Sequence, residues 1–149
     1  MKKGISLVIL VVTIIIMIIL AGIVVVNTTG MFVDMELTKL KLDIAQLENL
    51  MNTYKIRKSG NIGFAKTGLD ISTLNSDELL QFKGENIVNN KVELYIIDLE
   101  AIDAEAVNYG NLENGASDRY LYSLTTGRVY YELGLETENI TYYYAKSGE

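Results

Sequence analysis

Residues Ile5–Val26, ISLVILVVTIIIMIILAGIVVV, carry no charge over 22 positions. As a helix rising ~1.5 Å per residue this run is about 33 Å long, close to the ~30 Å of a bilayer's hydrocarbon core. Three fates fit such a segment. A cleaved secretory signal usually has an apolar stretch of only ~7–15 residues ending in small side chains. This run is longer, and its small residues are confined to Ala21-Gly22 and Thr28-Thr29-Gly30. A plain membrane anchor accounts for its length and apolarity. Lys2 and Lys3 precede the segment and an acidic domain follows, so the positive-inside tendency places Met1 in the cytoplasm and the domain outside.

The third fate is suggested by the abrupt start, Lys2-Lys3-Gly4 followed directly by Ile5-Ser6-Leu7-Val8. This resembles the leader of type IV pilins and pseudopilins, cut on the cytoplasmic side after a glycine. An apolar first residue, then Ser or Thr, then Leu are typical after the cut, and Ile5, Ser6 and Leu7 match. The resemblance extends through the β-branched run to Ala21-Gly22. It implies a prepilin peptidase that removes Met1 to Gly4 (with Lys3, Gly4 and Ile5 as the cleavage residues), N-methylation of Ile5, and an assembly platform driven by an ATPase. One position departs from the pattern. The glutamate usual at the fifth residue after the cut is replaced by Ile9. That carboxylate is thought to neutralise a neighbour's terminal amine in an apolar setting, so its absence argues against the repeating major subunit of a standard pilus. Major or minor role stays open.

Past Gly30 the pattern stays helical. Val33, Leu37, Leu40, Ile44, Leu47, Met51 and Tyr54 follow one another at alternating spacings of four and three, an apolar seam expected to lie on a sheet. Arg57, Lys58 and Gly60 suit its end. Met31, Met35 and Leu42 fall on roughly the opposite side. With Ile9 they form the expected assembly interface, since a filament subunit packs both its own sheet and its neighbours' helices.

Residues 58–91 read as irregular, with a short helix at Asp77–Phe82 capped by Asn75 or Ser76. Val92–Ile97 reads as a strand, and Asp98–Glu105 as a helical turn. Arg119–Leu124 and Arg128–Leu133 flank Thr125-Thr126-Gly127, a hairpin with glycine at the left-handed position of a three-residue loop. Ile140–Ala145 is the last strand. On the hairpin, Tyr120, Tyr122 and Tyr130 are expected on an outward face, and Leu121, Val129, Tyr131 and Leu133 against the helix seam. The expected class is α+β, pilin-like: a long N-terminal helix, transmembrane half plus amphipathic half, packed on a small antiparallel sheet. The corresponding segments are a leader (1–4), a transmembrane or filament-core helix (5–27), its amphipathic continuation (28–58) and a globular head (59–149).

Composition narrows the chemistry. There is no cysteine and no histidine, which removes thiolate and imidazole nucleophiles, bases and metal ligands. All 19 acidic residues, but all except two of the 13 basic ones, lie after Gly30. A surface so acidic repels phosphate backbones, so nucleic acid is not an expected partner. Asp98, Glu100, Asp103 and Glu105 are the weak candidates for a calcium site. Their spacing does not match an EF-hand loop, and a solvated acidic surface explains them as well. No cofactor is expected and the chain does not read as an enzyme.

The expected function is therefore structural. It is that of a pilin-like or pseudopilin subunit of a type IV pilus, type II secretion-like or DNA-uptake filament, first at the cytoplasmic membrane and then in an extracellular filament with copies of itself or other pilins. The alternative is a bitopic, membrane-anchored extracellular domain that binds a ligand or partner and never polymerises.

Overall fold

The computed structural model describes the backbone of residues 2–104 and 106–146, and the side chains of 6–19, 35–104 and 106–146. Two compact units are present, Met1–Glu36 and Leu37–Glu149. Helical backbone, α1, runs over Lys2–Arg57 and contributes to both. In the second unit it ends as the sequence suggests. Lys55 and Arg57 occupy its last turn, and Gly60, at φ +87°, donates its N–H back to the Lys55 carbonyl, a left-handed glycine cap.

After the helix come β1 (Lys66–Asp70), a one-turn helix α2 (Ser76–Leu79) continuing as a 3₁₀ turn (Leu80–Phe82), β2 (Ile87–Val88) and β3 (Lys91–Ile96). β4 (Tyr120–Tyr122), β5 (Val129–Tyr131), β6 (Leu135–Glu136) and β7 (Thr141–Tyr142) complete the chain. Asn75 caps α2 through a reciprocal box. Its side chain accepts from Glu78 N–H, and the Glu78 carboxylate accepts from Asn75 N–H. The main sheet is antiparallel in the order β1-β3-β4-β5, with β2 beside β4 on the same edge of β3. The β2–β3 connection is Asn89-Asn90, both at positive φ (53° and 60°), the conformation a two-residue hairpin requires and asparagine tolerates. β6 and β7 form a separate ribbon.

The sheet is buried on both faces. One face packs Tyr120, Tyr122, Val129 and Tyr131 against Leu40, Ile44, Leu47 and Met51 of the helix. The other packs Leu69, Val92, Leu94, Leu121 and Tyr130 beneath Phe82, whose ring stacks on Tyr130 with centroids 4.9 Å apart.

This corrects the hairpin faces expected from sequence. The observed register pairs Tyr120 with Tyr131, Leu121 with Tyr130 and Tyr122 with Val129. The backbone closes between Ser123 and Arg128, so the loop has one residue more than the expected Thr125-Thr126-Gly127. A one-residue slip exchanges the faces of a strand. Tyr120 and Tyr122 therefore meet the helix, and Leu121 lies on the opposite side. Leu133, expected against the helix, is 41% exposed. The strand expected over Ile140–Ala145 is confined to Thr141–Tyr142, and Asp98–Asp103 closes as a helical turn, with the Ile102 N–H bonding to the Asp98 carbonyl at 3.3 Å. β1 and β2 lie where the sequence reads as irregular.

The larger correction concerns the fold class. A long N-terminal helix with a transmembrane half and an amphipathic half, packed pilin-like on the sheet, is not what is found. Among the described residues no helix is long and apolar enough to cross a membrane. Among the described residues, the helical side chains packed against the sheet, from Leu37 to Tyr54, belong to the second unit.

One glycine fixes the loop leading into β4. Gly110 has φ +77°, and a Cβ placed there would lie 2.4 Å from the Tyr120 ring. Gly110→Ala is expected to lower stability by about 2–4 kcal/mol through combined backbone strain and overpacking, read as a shift in the urea midpoint.

Candidate functional site

In the first unit, every side chain from Ser6 to Ile19 is exposed. Ile9 is 60% and Ile18 66% accessible, although nearly all of these residues are aliphatic. The hydroxyl of Thr13 donates to the Ile9 carbonyl at 2.7 Å, the local bond by which a helix carries threonine in an apolar setting. A helix apolar on all sides is stable only when covered, by lipid or by other protein. Burial is the one interaction this surface offers. Lys3, Gly4, Ile5, Met31 and Val33 lie outside the residues whose side chains are described.

Of the remaining expected assembly positions, Met35 is 49% and Leu42 59% exposed. The seam behaves differently. Leu40, Ile44, Leu47 and Met51 are solvent-free in the core, with Leu37 and Tyr54 packed at its margin. Tyr54 also stacks on Phe64, ring centroids 5.2 Å apart.

Sequence reasoning missed the buried carboxylates. Asp43, one residue before Ile44, is buried. It accepts from the Asn108 N–H (2.9 Å), the Asn108 side-chain amide (3.0 Å), the Tyr109 N–H (2.9 Å) and the Tyr120 hydroxyl (2.8 Å). It ties the helix to the long loop before β4. Asp118 is also buried and accepts from Gly110 N–H (2.8 Å), Asn114 N–H (3.0 Å) and the Tyr131 hydroxyl (2.6 Å). Glu85 accepts from the hydroxyls of Ser123 (2.5 Å) and Tyr130 (2.9 Å), and from Thr126. The one sequence signal was an aspartate between Leu42 and Ile44, inside a hydrophobic pattern.

These carboxylates are satisfied acceptors, and their tyrosine partners are held as donors. Burial first, then the Asp43 charge and its hydrogen bond, push the Tyr120 hydroxyl pKa far up; burial and then Asp118 do the same for Tyr131. For Asp118, burial acts to raise the pKa, but the bonds from Tyr131, Asn114 and Gly110 together outweigh it and hold the carboxyl below its usual value. A depressed folded-state pKa adds stability above the unfolded value of about 3.9, and that stability is lost as pH falls through the folded pKa. The urea midpoint should therefore fall between pH 5 and pH 3. Asp118→Asn should be less stable at pH 7 and lose less over that interval. Glu48 has the opposite tendency. Burial raises its pKa, although its carboxylate accepts from Val129 N–H and faces Arg128.

Asp98, Glu100 and Asp103 are exposed on the turn after β3. The Asp98 carboxylate caps that turn, accepting from the backbone of Glu100 and Ala101 at 3.1 and 3.2 Å. Glu105 lies outside the described residues. Among the described residues no group of three or more acidic side chains is placed to hold a metal ion. No protein-family model, curated protein or solved structure matches the chain.

Proposed function

We propose that this chain is a structural subunit, without enzymatic activity, of a surface filament of the type IV pilus, type II secretion-like or DNA-uptake class. On this reading a prepilin peptidase cuts after Gly4 and Ile5 becomes the methylated N-terminus. The observation that carries the reading is the helical stretch Ser6–Ile19, apolar and exposed all round, immediately behind a Lys-Gly leader. Before assembly lipid covers this segment, and in the filament the corresponding segments of neighbouring subunits replace the lipid. An assembly platform and its ATPase would drive the exchange. Ile9 removes the usual salt link to a neighbour's amine, which favours a minor or specialised subunit.

The test is the mass of the N-terminal peptide in membrane and sheared surface fractions. A peptide beginning at Ile5, heavier by one methyl group and present in the sheared material, is the expected result. A peptide beginning at Met1 and confined to membranes would overturn the proposal in favour of a plain anchor.

A further inference from the structure

Asn114 is the one asparagine of the chain that precedes a glycine. Both Asn114 and Gly115 are exposed, in the long loop between β3 and β4. Gly115 stands at φ +114°, and a Cβ built on it would meet nothing within 4 Å. Among the described residues no hydrogen bond holds its N–H, although its carbonyl accepts from the Asp118 N–H at 3.2 Å. The Asn114 side-chain amide donates to Asp118 Oδ2 at 3.4 Å, a long bond. A backbone nitrogen that is neither bonded nor crowded therefore follows a loosely held carboxamide.

Other asparagines are held or hindered. Asn75 is followed by the small Ser76, but its side-chain oxygen is committed to the Glu78 N–H in the cap of α2. Asn108 is followed by Tyr109, and its amide is bound to Asp43 at 3.0 Å. A side chain on the following residue crowds the approach of that residue's nitrogen, and glycine has none.

We infer that Asn114 converts spontaneously to aspartate and isoaspartate, and that the conversion loosens the loop held by Asp118. The Gly115 nitrogen gives its proton to hydroxide and attacks the carbonyl carbon of the Asn114 side chain. The new N–C bond closes a five-membered imide as the bond to the side-chain nitrogen breaks. Ammonia leaves with a proton taken from water, and a second water opens the imide at either carbonyl. Aspartate sets a second carboxylate where the amide had donated to Asp118 Oδ2, so attraction becomes repulsion beside a buried charge. Isoaspartate reroutes the main chain through the former side chain and lengthens the turn that Asp118 N–H closes on the Gly115 carbonyl. Asp118 ties this loop to β5, accepting from the Gly110 N–H at 2.8 Å and from the Tyr131 hydroxyl at 2.6 Å. The chemistry needs only water and does not depend on the filament reading.

The test incubates the full chain, in detergent, in warm and mildly alkaline buffer and weighs its peptides. The peptide holding Asn114 is expected to gain the mass of an amide-to-acid exchange and to accept methyl groups from an isoaspartyl methyltransferase. The peptide holding Asn75 should stay unchanged. Gly115→Ala should slow the gain at least about tenfold, because a methyl group crowds the attacking nitrogen. Asn114→Gln, which leaves the left-handed glycine in place, should suppress it, because a larger ring must close. Asn114→Asp should lower the urea midpoint, and lower it less in an Asp118→Asn background. An Asn114 that stays intact in the folded chain but converts in urea would overturn the site, since the fold would then protect it. An equal fall in both backgrounds would overturn the link to Asp118. The N-terminal peptide of the same digest reports on the filament reading separately.

Discussion

Asp43→Ala is expected to destabilise the protein by about 3–5 kcal/mol, since it strands four donors at once, the buried Tyr120 hydroxyl among them, rather than deleting one bond. The Asn108 and Tyr109 N–H groups, the Asn108 side-chain amide and the Tyr120 hydroxyl all end on this carboxylate. Tyr120 is buried against the helix, 1% exposed. Alanine favours the helix backbone by only ~0.5 kcal/mol, far less than the loss. Asp43→Asn keeps the volume and one acceptor oxygen but turns an amide donor toward the loop donors, so it should fall between wild type and alanine. Urea unfolding of the full chain in detergent, followed by tyrosine fluorescence, measures both. A change under ~1 kcal/mol for alanine would mean that water replaces the carboxylate and that the loop is not held through the helix.

How much of this was legible in the sequence depended on whether a feature is periodic. The spacing of Leu40, Ile44, Leu47 and Met51 is a local signature of one buried helix face, and these residues are solvent-free. The Asn75–Glu78 box and the turn glycine Gly127 are local too, and each can be read within a few residues. The hairpin register was not local. It depends on whether Ser123 and Arg128 close the loop, and in turn on Ser123 and Thr126 bonding to Glu85, about forty residues earlier. The second buried face of the sheet is hidden in the sequence for a related reason. Tyr130 reads as an outward aromatic until Phe82 is placed on it. Hydropathy also gave no warning that the apolar segment and the seam serve different units. The hub at Asp43 was nearly invisible, because one acidic residue on a helix ordinarily faces solvent.

Leu42→Glu is expected to leave folding intact and to reduce surface assembly at least about tenfold, whereas its near neighbour behaves in reverse. Leu40 is fully buried under the sheet and Leu42 is 59% exposed. Leu40→Ala removes core contacts and leaves a cavity, at a cost of about 2–5 kcal/mol. Leu42 already meets water in the isolated chain, so a glutamate there should change the urea midpoint by no more than ~0.5 kcal/mol. In an assembly that covers Leu42, the same glutamate must lose its hydration at every contact. A penalty of ~1.4 kcal/mol per contact is tenfold in its equilibrium constant, and a filament repeats it at each subunit. The amount of chain in sheared surface material relative to the membrane pool, with the urea midpoint measured on the same variant, separates the two effects. Unchanged shedding with unchanged stability would remove Leu42 from any interface between subunits. Reduced shedding with unchanged stability would place Leu42 at a contact that exists only between subunits.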